Sequence, residues 1–372
     1  MKMPLLLLLA CTVSVTRSQT VEDSLLIDGS YRTFRIHTPP GFSAAEHLPL
    51  VLNLHGLTST GAQQEAYSEM NAVADAERFI VVYPDGVNNS WNLGLGAVDE
   101  YGFFTGLIDR MVLTHNINTD RVYACGMSQG GFMSFVLACS MYDRIAAIAT
   151  VAGSMAPGLD LVCAPPRAVP VLMIHGTADG IVPFTGGIQN LAVPDAVDFW
   201  VQHNNCDPVP VISPIPDIVP LDLCSAERQD HYNGDANSEV ALIRVNGGGH
   251  TWPGSAIPIG VTNQDFEASQ AIWDFFDRFD IGGGLSAPDA IDLSGNFVIS
   301  STLFNERVEI YQSTNATAEV QVTDATGRIV ASAMVPSGQR VWFETHQWAP
   351  GPYLWVLRTS ELRFVQRTLC AR

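Results

Sequence analysis

A serine held between two glycines, Gly126-Met127-Ser128-Gln129-Gly130, is the part of this sequence best suited to covalent chemistry. G-x-S-x-G is the spacing a sharp strand-to-helix turn requires, because the serine takes a strained backbone and flanking glycines keep side chains out of the crowded corner. The apolar run Arg121–Cys125 before it reads as a buried strand, and residues 130–141 after it read as a helix. The helix N-terminus would then lie under the serine and favour developing negative charge. A serine that merely caps the helix is the plainer reading, and the strand and helix flanks weigh against it.

A nucleophilic serine needs a base and an acid that orients the base. His250 stands in Gly247-Gly248-Gly249-His250-Thr251-Trp252-Pro253, directly after an apolar run, Val240–Val245. Asp179 stands in His175-Gly176-Thr177-Ala178-Asp179, after the run Val169–Ile174. The chain order is therefore Ser128, Asp179, His250, each beyond a strand, and this order separates the chain from chymotrypsin-like and subtilisin-like arrangements. Two main-chain donors complete the set: Leu57 N–H, in Leu54-His55-Gly56-Leu57 after another strand, and Gln129 N–H. Both would face an oxyanion. His55 is read as a packing and loop-bonding residue, since His250 already fills the base role. Trp91 and Trp252, on loops near these motifs, are the candidate substrate-binding aromatics.

Metal chemistry has little support in the sequence. There is no C-x-x-C pair, and Asn233–Glu239 has alternating oxygen side chains without a full calcium loop, so it is read as a hairpin turn. Neither a metal nor an organic cofactor is expected.

The elements that must carry these residues alternate between strand and helix. Strands are expected at Tyr31–His37, Leu48–Leu54, Phe79–Tyr83, Arg121–Cys125, Ile145–Val151, Val169–Ile174 and Val240–Val245, with helices at Ala62–Arg78, Tyr101–His115, Gly130–Met141, Asp195–His203 and Asp265–Phe279. Continuously apolar strands imply burial on both faces and hence a mainly parallel sheet between helix layers. The Tyr31 and Leu48 runs, joined by Pro39-Pro40-Gly41, read as an antiparallel hairpin. From residue 291 onward the pattern changes to short strands divided by turns, which predicts a small all-β sandwich of immunoglobulin-like type.

The 372 residues carry 19 basic against 38 acidic side chains, a net charge of −19. A phosphate backbone is repelled by such a field, so nucleic acid is excluded as a partner. The charge is uneven, with 10 basic against 30 acidic residues in 19–285 and 7 against 8 in 286–372. Together with Gly282-Gly283-Gly284 and Ser286-Ala287-Pro288 this sets the expected division: leader 1–18, catalytic domain 19–281, linker 282–290, β-domain 291–372. Lys2 is the only lysine, so the exported chain would be lysine-free and strongly acidic, a composition suited to saline surroundings. Lys2, the apolar stretch 4–10 and Thr16-Arg17-Ser18 form a secretory leader, with a lipobox ending at Cys11 as the alternative. Either takes the chain out of the cytoplasm, to an extracellular or cell-surface location. Disulfides are then the default, and Cys206–Cys224 is the expected pair among the 15 connectivities open to six cysteines. Oligomeric state stays open.

Leu54-His55-Gly56, Val82-Tyr83-Pro84-Asp85-Gly86, Asp120-Arg121-Val122-Tyr123, Gly126–Gly131, His175–Asp179 with Val182-Pro183-Phe184, and Gly247–Gly254 occur in one order over about residues 25–280. In this they resemble the secreted polyhydroxybutyrate depolymerase and feruloyl esterase-like group of α/β-hydrolases. The resemblance implies a serine carboxylic-ester hydrolase with Ser128 as nucleophile, His250 as base, Asp179 as acid, and Leu57 and Gln129 as oxyanion donors. Feruloyl or acetyl esters of plant polysaccharides or related aryl esters are the implied substrates, short polyesters the alternative, and peptides on the same fold a further one. Gln129 departs from the asparagine or alanine expected there, which leaves its side-chain contacts in question. Residues 291–372 resemble a C-terminal sorting domain of type IX secretion through Phe304–Val308, Val322–Arg328 and Trp348–Tyr353, although Pro352 and the ending Leu369–Arg372 depart from its pattern. That resemblance implies the outer-membrane secretion machinery as a partner. A substrate-binding module is the competing reading.

Overall fold

Strands buried at every position, such as Leu50–Leu54 and Ile80–Pro84, can exist only with cover on both faces. The computed structural model describes residues 18–94, 98–281, 297–299, 303–304, 307–312, 317–324, 328–349, 351–359 and 363–370. The leader expected over 1–18 (Ser18 apart) and the linker expected over 282–290 lie outside the described residues. The chain divides into two units, Met1–Gly282 and Gly283–Arg372.

In chain order the first unit holds β1 (Gln19–Ile27), β2 (Ser30–Thr38), β3 (Leu50–Leu54), α1 (Gly61–Ser68), α2 (Met70–Glu77), β4 (Ile80–Pro84) and α3 (Glu100–His115). Then come β5 (Val122–Met127), α4 (Gln129–Ser140), β6 (Ala147–Val151), α5 (Leu159–Val162), β7 (Val171–Gly176) and α6 (Val193–His203). It ends with β8 (Val211–Ile215), β9 (Ser225–His231), β10 (Val240–Asn246) and α7 (Ala268–Phe276). One ten-stranded sheet runs β1-β2-β4-β3-β5-β6-β7-β10-β9-β8. The pairs from β4 through β3, β5, β6 and β7 to β10 are parallel, and antiparallel strands flank them on both sides.

Side-chain alternation along the strands divides the core. Leu50, Leu52 and Leu54 join one cluster with Phe103 of α3, Met133 of α4 and Trp200 of α6, while Val51 joins the other with Met70 of α2 and Trp273 and Phe276 of α7. A parallel-centred sheet between two helix layers, with β2 antiparallel and the β4-β3-β5 crossover, is an α/β-hydrolase arrangement.

Several expectations need correction. β2 pairs with β1 and β4, not with β3, so the Tyr31–Leu54 hairpin does not form. The helix expected over 62–78 is two helices, because Glu69 takes φ 52° and ends α1 in the left-handed conformation. Among the described residues the disulfide is Cys139–Cys163, with a Cα–Cα distance of 5.1 Å. Cys206 and Cys224 are free and buried. Cys206 packs on Ser238, beside the end of the β9–β10 ladder where His231 meets Val240, whereas Cys224 precedes Ser225 at the other end, opposite Asn246. At about 3.4 Å per residue the seven-residue β9 keeps them on the order of 20 Å apart, well beyond bridging distance.

The second unit contains β11 (Phe297–Ile299), β12 (Leu303–Phe304), β13 (Arg307–Gln312), β14 (Ala318–Asp324), β15 (Ile329–Val335), β16 (Arg340–Glu344), β17 (Gly351–Arg358) and β18 (Arg363–Cys370). They form sheets β11-β13-β16 and β12-β18-β17-β14-β15. Val308, Ile310 and Phe343 from the first sheet share an apolar cluster with Val320, Val322, Trp355 and Leu357 from the second.

Candidate active site

β5 delivers Ser128 into a turn at φ 54°, ψ −120°, a conformation that costs a non-glycine residue on the order of 1–3 kcal/mol. The surroundings hold it there. Ser128 N–H donates to Val151 O at 2.9 Å, and Ser128 O accepts from Phe132 N–H at 3.1 Å. A methyl group on Gly126 would stand 2.6 Å from Leu54 O, and one on Gly130 would overlap that same carbonyl. Both positions must therefore be glycine for the start of α4 to lie against the end of β3. That approach brings Gly56 to the serine, where a methyl group would stand 3.3 Å from Ser128 Cβ and 3.9 Å from its Oγ. Gln129, as the first residue of α4, has an N–H with no helical partner.

Asp179 and His250 follow the neighbouring strands β7 and β10. His250 Nδ1 lies 2.8 Å from Asp179 Oδ2, leaving Nε2 as the ring nitrogen open to reaction. The other carboxylate oxygen accepts from Ile181 N–H and Val182 N–H, each at 2.8 Å. Burial pushes the carboxyl pKa up, but the His250 hydrogen bond and the two N–H groups outweigh it and hold Asp179 below the usual carboxylate range. The loop carrying His250 is tied down by Gly249 N–H on Val261 O at 2.9 Å and Trp252 N–H on Tyr67 Oη at 3.1 Å. Among the described residues no hydrogen bond joins Ser128 Oγ to His250. Such contacts commonly tighten only when substrate is bound.

The two tryptophans do not form an open wall. Trp91 is 3% and Trp252 1% exposed. Their indole N–H groups are taken up inside the protein, Trp91 on His55 O at 2.8 Å and Trp252 on Ser269 Oγ at 3.2 Å. Substrate contact through these rings is corrected to a supporting role, because a buried indole with a satisfied N–H offers a ligand no surface.

His55 takes its structural role. Its Nε2 accepts from Gly86 N–H at 2.9 Å, so the proton sits on Nδ1, which donates to Gly56 O at 2.7 Å. Burial lowers its pKa and keeps this neutral form. The question over Gln129 is answered by its side chain, whose Oε1 accepts from Trp91 N–H at 3.1 Å and whose Nε2 donates to Trp91 O at 3.3 Å and Ser90 Oγ at 3.1 Å.

His175 was absent from the sequence-derived site. It is 1% exposed, with Nε2 2.8 Å from Val182 O and 3.4 Å from Asp179 Oδ2, bracing the acid from behind. Its signal was the four-residue step to Asp179. Among the described residues no group of three or more His, Cys, Asp or Glu could hold a metal ion.

Residues 32–209 match the family described as Esterase PHB depolymerase, a span that includes Ser128 and Asp179. The putative esterase NocK of Nocardia uniformis subsp. tsuyamanensis is 29% identical over 289 residues, 70% of this chain and 83% of that protein. Feruloyl esterase B of Piromyces equi is 28% identical over 231 residues, 57% of this chain and 41% of that protein. A solved structure of FAE is 11% identical with a TM-score of 0.50, covering 70% of this chain and 89% of the other, a likeness of fold alone.

Proposed function

We infer that this carboxylic ester hydrolase works through an acyl-enzyme on Ser128 and takes feruloyl- or acetyl-type esters of plant polysaccharides, or related aryl esters, outside the cell. The observations that support the mechanism are the His250 imidazole bonded through Nδ1 to a buried carboxylate and, at the end of β5, a serine held in a strained turn. Ser128 Oγ attacks the ester carbonyl carbon while His250 Nε2 takes its proton, and Asp179 steadies the resulting imidazolium. The carbonyl oxygen, now an oxyanion, accepts from Leu57 N–H and Gln129 N–H. The tetrahedral adduct then expels the alcohol, which takes the proton from His250. Water repeats the sequence on the acyl-enzyme, releasing the acid and restoring the serine.

The substrate preference draws support from Feruloyl esterase B as a relative. A short polyester is the second reading, supported by the depolymerase family match over 32–209. Residues 291–372 are read as a sorting domain for export, their β-sandwich as immunoglobulin-like.

The test is Ser128→Ala against methyl ferulate, acetylated xylan, hydroxybutyrate oligomers and p-nitrophenyl acetate. Loss of turnover by at least about 10³-fold on every ester is expected. Near-parental turnover in the serine variant ends the acyl-enzyme reading, and faster hydrolysis of hydroxybutyrate oligomers than of feruloyl or acetyl esters selects the polyester.

A further inference from the structure

The two oxyanion donors belong to different loops, Leu57 N–H to the turn after β3 and Gln129 N–H to the start of α4. An oxyanion hole works only if the gap between its donors is fixed before the charge develops. A continuous set of hydrogen bonds connects them. The Gln129 amide grips the Trp91 backbone, with Oε1 accepting from Trp91 N–H at 3.1 Å and Nε2 donating to Trp91 O at 3.3 Å. The Trp91 indole N–H donates to His55 O at 2.8 Å, and its ring lies 4.9 Å from the His55 ring. His55 Nδ1–H then donates to Gly56 O at 2.7 Å. Gly56 O also accepts from Ser59 N–H at 3.1 Å.

The last link reaches the donor itself. Gly56 C=O and Leu57 N–H are opposite ends of one planar trans peptide group, so a carbonyl held at one end aims the N–H at the other. Gly86 N–H on His55 Nε2 fixes the tautomer that this link needs.

We propose that the Gln129 side chain, Trp91 and His55 form a single clamp that sets the separation and aim of the Leu57 and Gln129 N–H groups. The residue after the nucleophile then has two tasks, its backbone as a donor and its side chain as the anchor of the opposite donor. The proposal rests on the acyl-enzyme reading above, and these side chains are positioning residues, since none of them touches the reacting atoms.

Gln129→Met keeps the length of the side chain and removes its hydrogen bonds, and Trp91→Phe removes the indole N–H. Both variants and their double are assayed for kcat and KM on p-nitrophenyl acetate, and for affinity toward a boronic acid, which forms a tetrahedral adduct on a serine. Each single variant is expected to lose about tenfold in kcat and in boronate affinity, with KM within about twofold, because the donors act on the tetrahedral species only. The double variant is expected to fall no further than the weaker single, since both break one linkage. Unchanged kcat in both singles, a loss confined to KM, or losses that multiply in the double overturn the clamp. Should Gln129→Met fail to fold, as its melting temperature would show, Trp91→Phe decides by the same kcat and boronate criteria. Ser128→Ala separates the two ideas: an inactive serine variant beside fully active clamp variants sinks the clamp alone, and an active serine variant sinks the mechanism.

Discussion

At Asp179 two backbone N–H groups and two imidazoles converge on one buried carboxylate. An amide in its place would present N–H where His250 Nδ1–H needs an acceptor, and would favour the wrong imidazole tautomer. Asp179→Asn should therefore lower kcat by on the order of 10⁴ while the protein stays folded. The pH dependence of folding has a definite sign. The native carboxyl titrates below its unfolded value, so its contribution is present above that value and disappears as pH falls through the lowered native one. Melting temperatures measured downward from pH 5 should drop less steeply in Asp179→Asn than in the parent, and identical slopes would show that the carboxylate adds nothing. The strand-end positions of Ser128, Asp179 and His250 were legible because each follows an apolar run and lies beside glycines. The burial of Trp91 and Trp252 was not, since an aromatic on a polar loop can turn either way until its neighbours are known. His175 was hidden by its position inside an apolar strand, where a histidine reads as packing.

Among the elements, the central strands were readable because each is apolar at nearly every position. β1, β8 and β9 were not. Ser225–His231 is Ser-Ala-Glu-Arg-Gln-Asp-His, and Gln19–Ile27 begins Gln-Thr-Val-Glu-Asp-Ser, so flanking strands with one wet face carry no continuous apolar signal. The same blindness misplaced the disulfide, because Cys206 and Cys224 sit at opposite ends of β9, and without that strand the separation of the two thiols is invisible. Cys139, in the last turn of α4, and Cys163, just after α5, close a loop with a sequence separation of 24. Cross-links of that span stabilise by about 3 kcal/mol through the unfolded chain. Cys139→Ala should lower denaturant stability by that order and leave KM near its parental value, whereas Cys206→Ala should respond to reductant as the parent does. A parental denaturation midpoint in Cys139→Ala would remove the disulfide from the account.

For the molecule as a whole, the uneven charge of the chain and its two units suggest separate duties. Removing 286–372 should leave turnover of p-nitrophenyl acetate within about twofold and abolish export from the producing cell. If export persists and adsorption to an insoluble polymer is lost instead, the second unit is a substrate-binding module. The ten-stranded sheet of the first unit ends at β8, whose Val211 and Ile212 are exposed. Such an open margin could recruit a strand from a neighbouring molecule and start fibrous growth. Pro214 sits in that strand without an N–H to give. The first unit thereby carries, in one imino acid at its rim, a check on templated self-assembly.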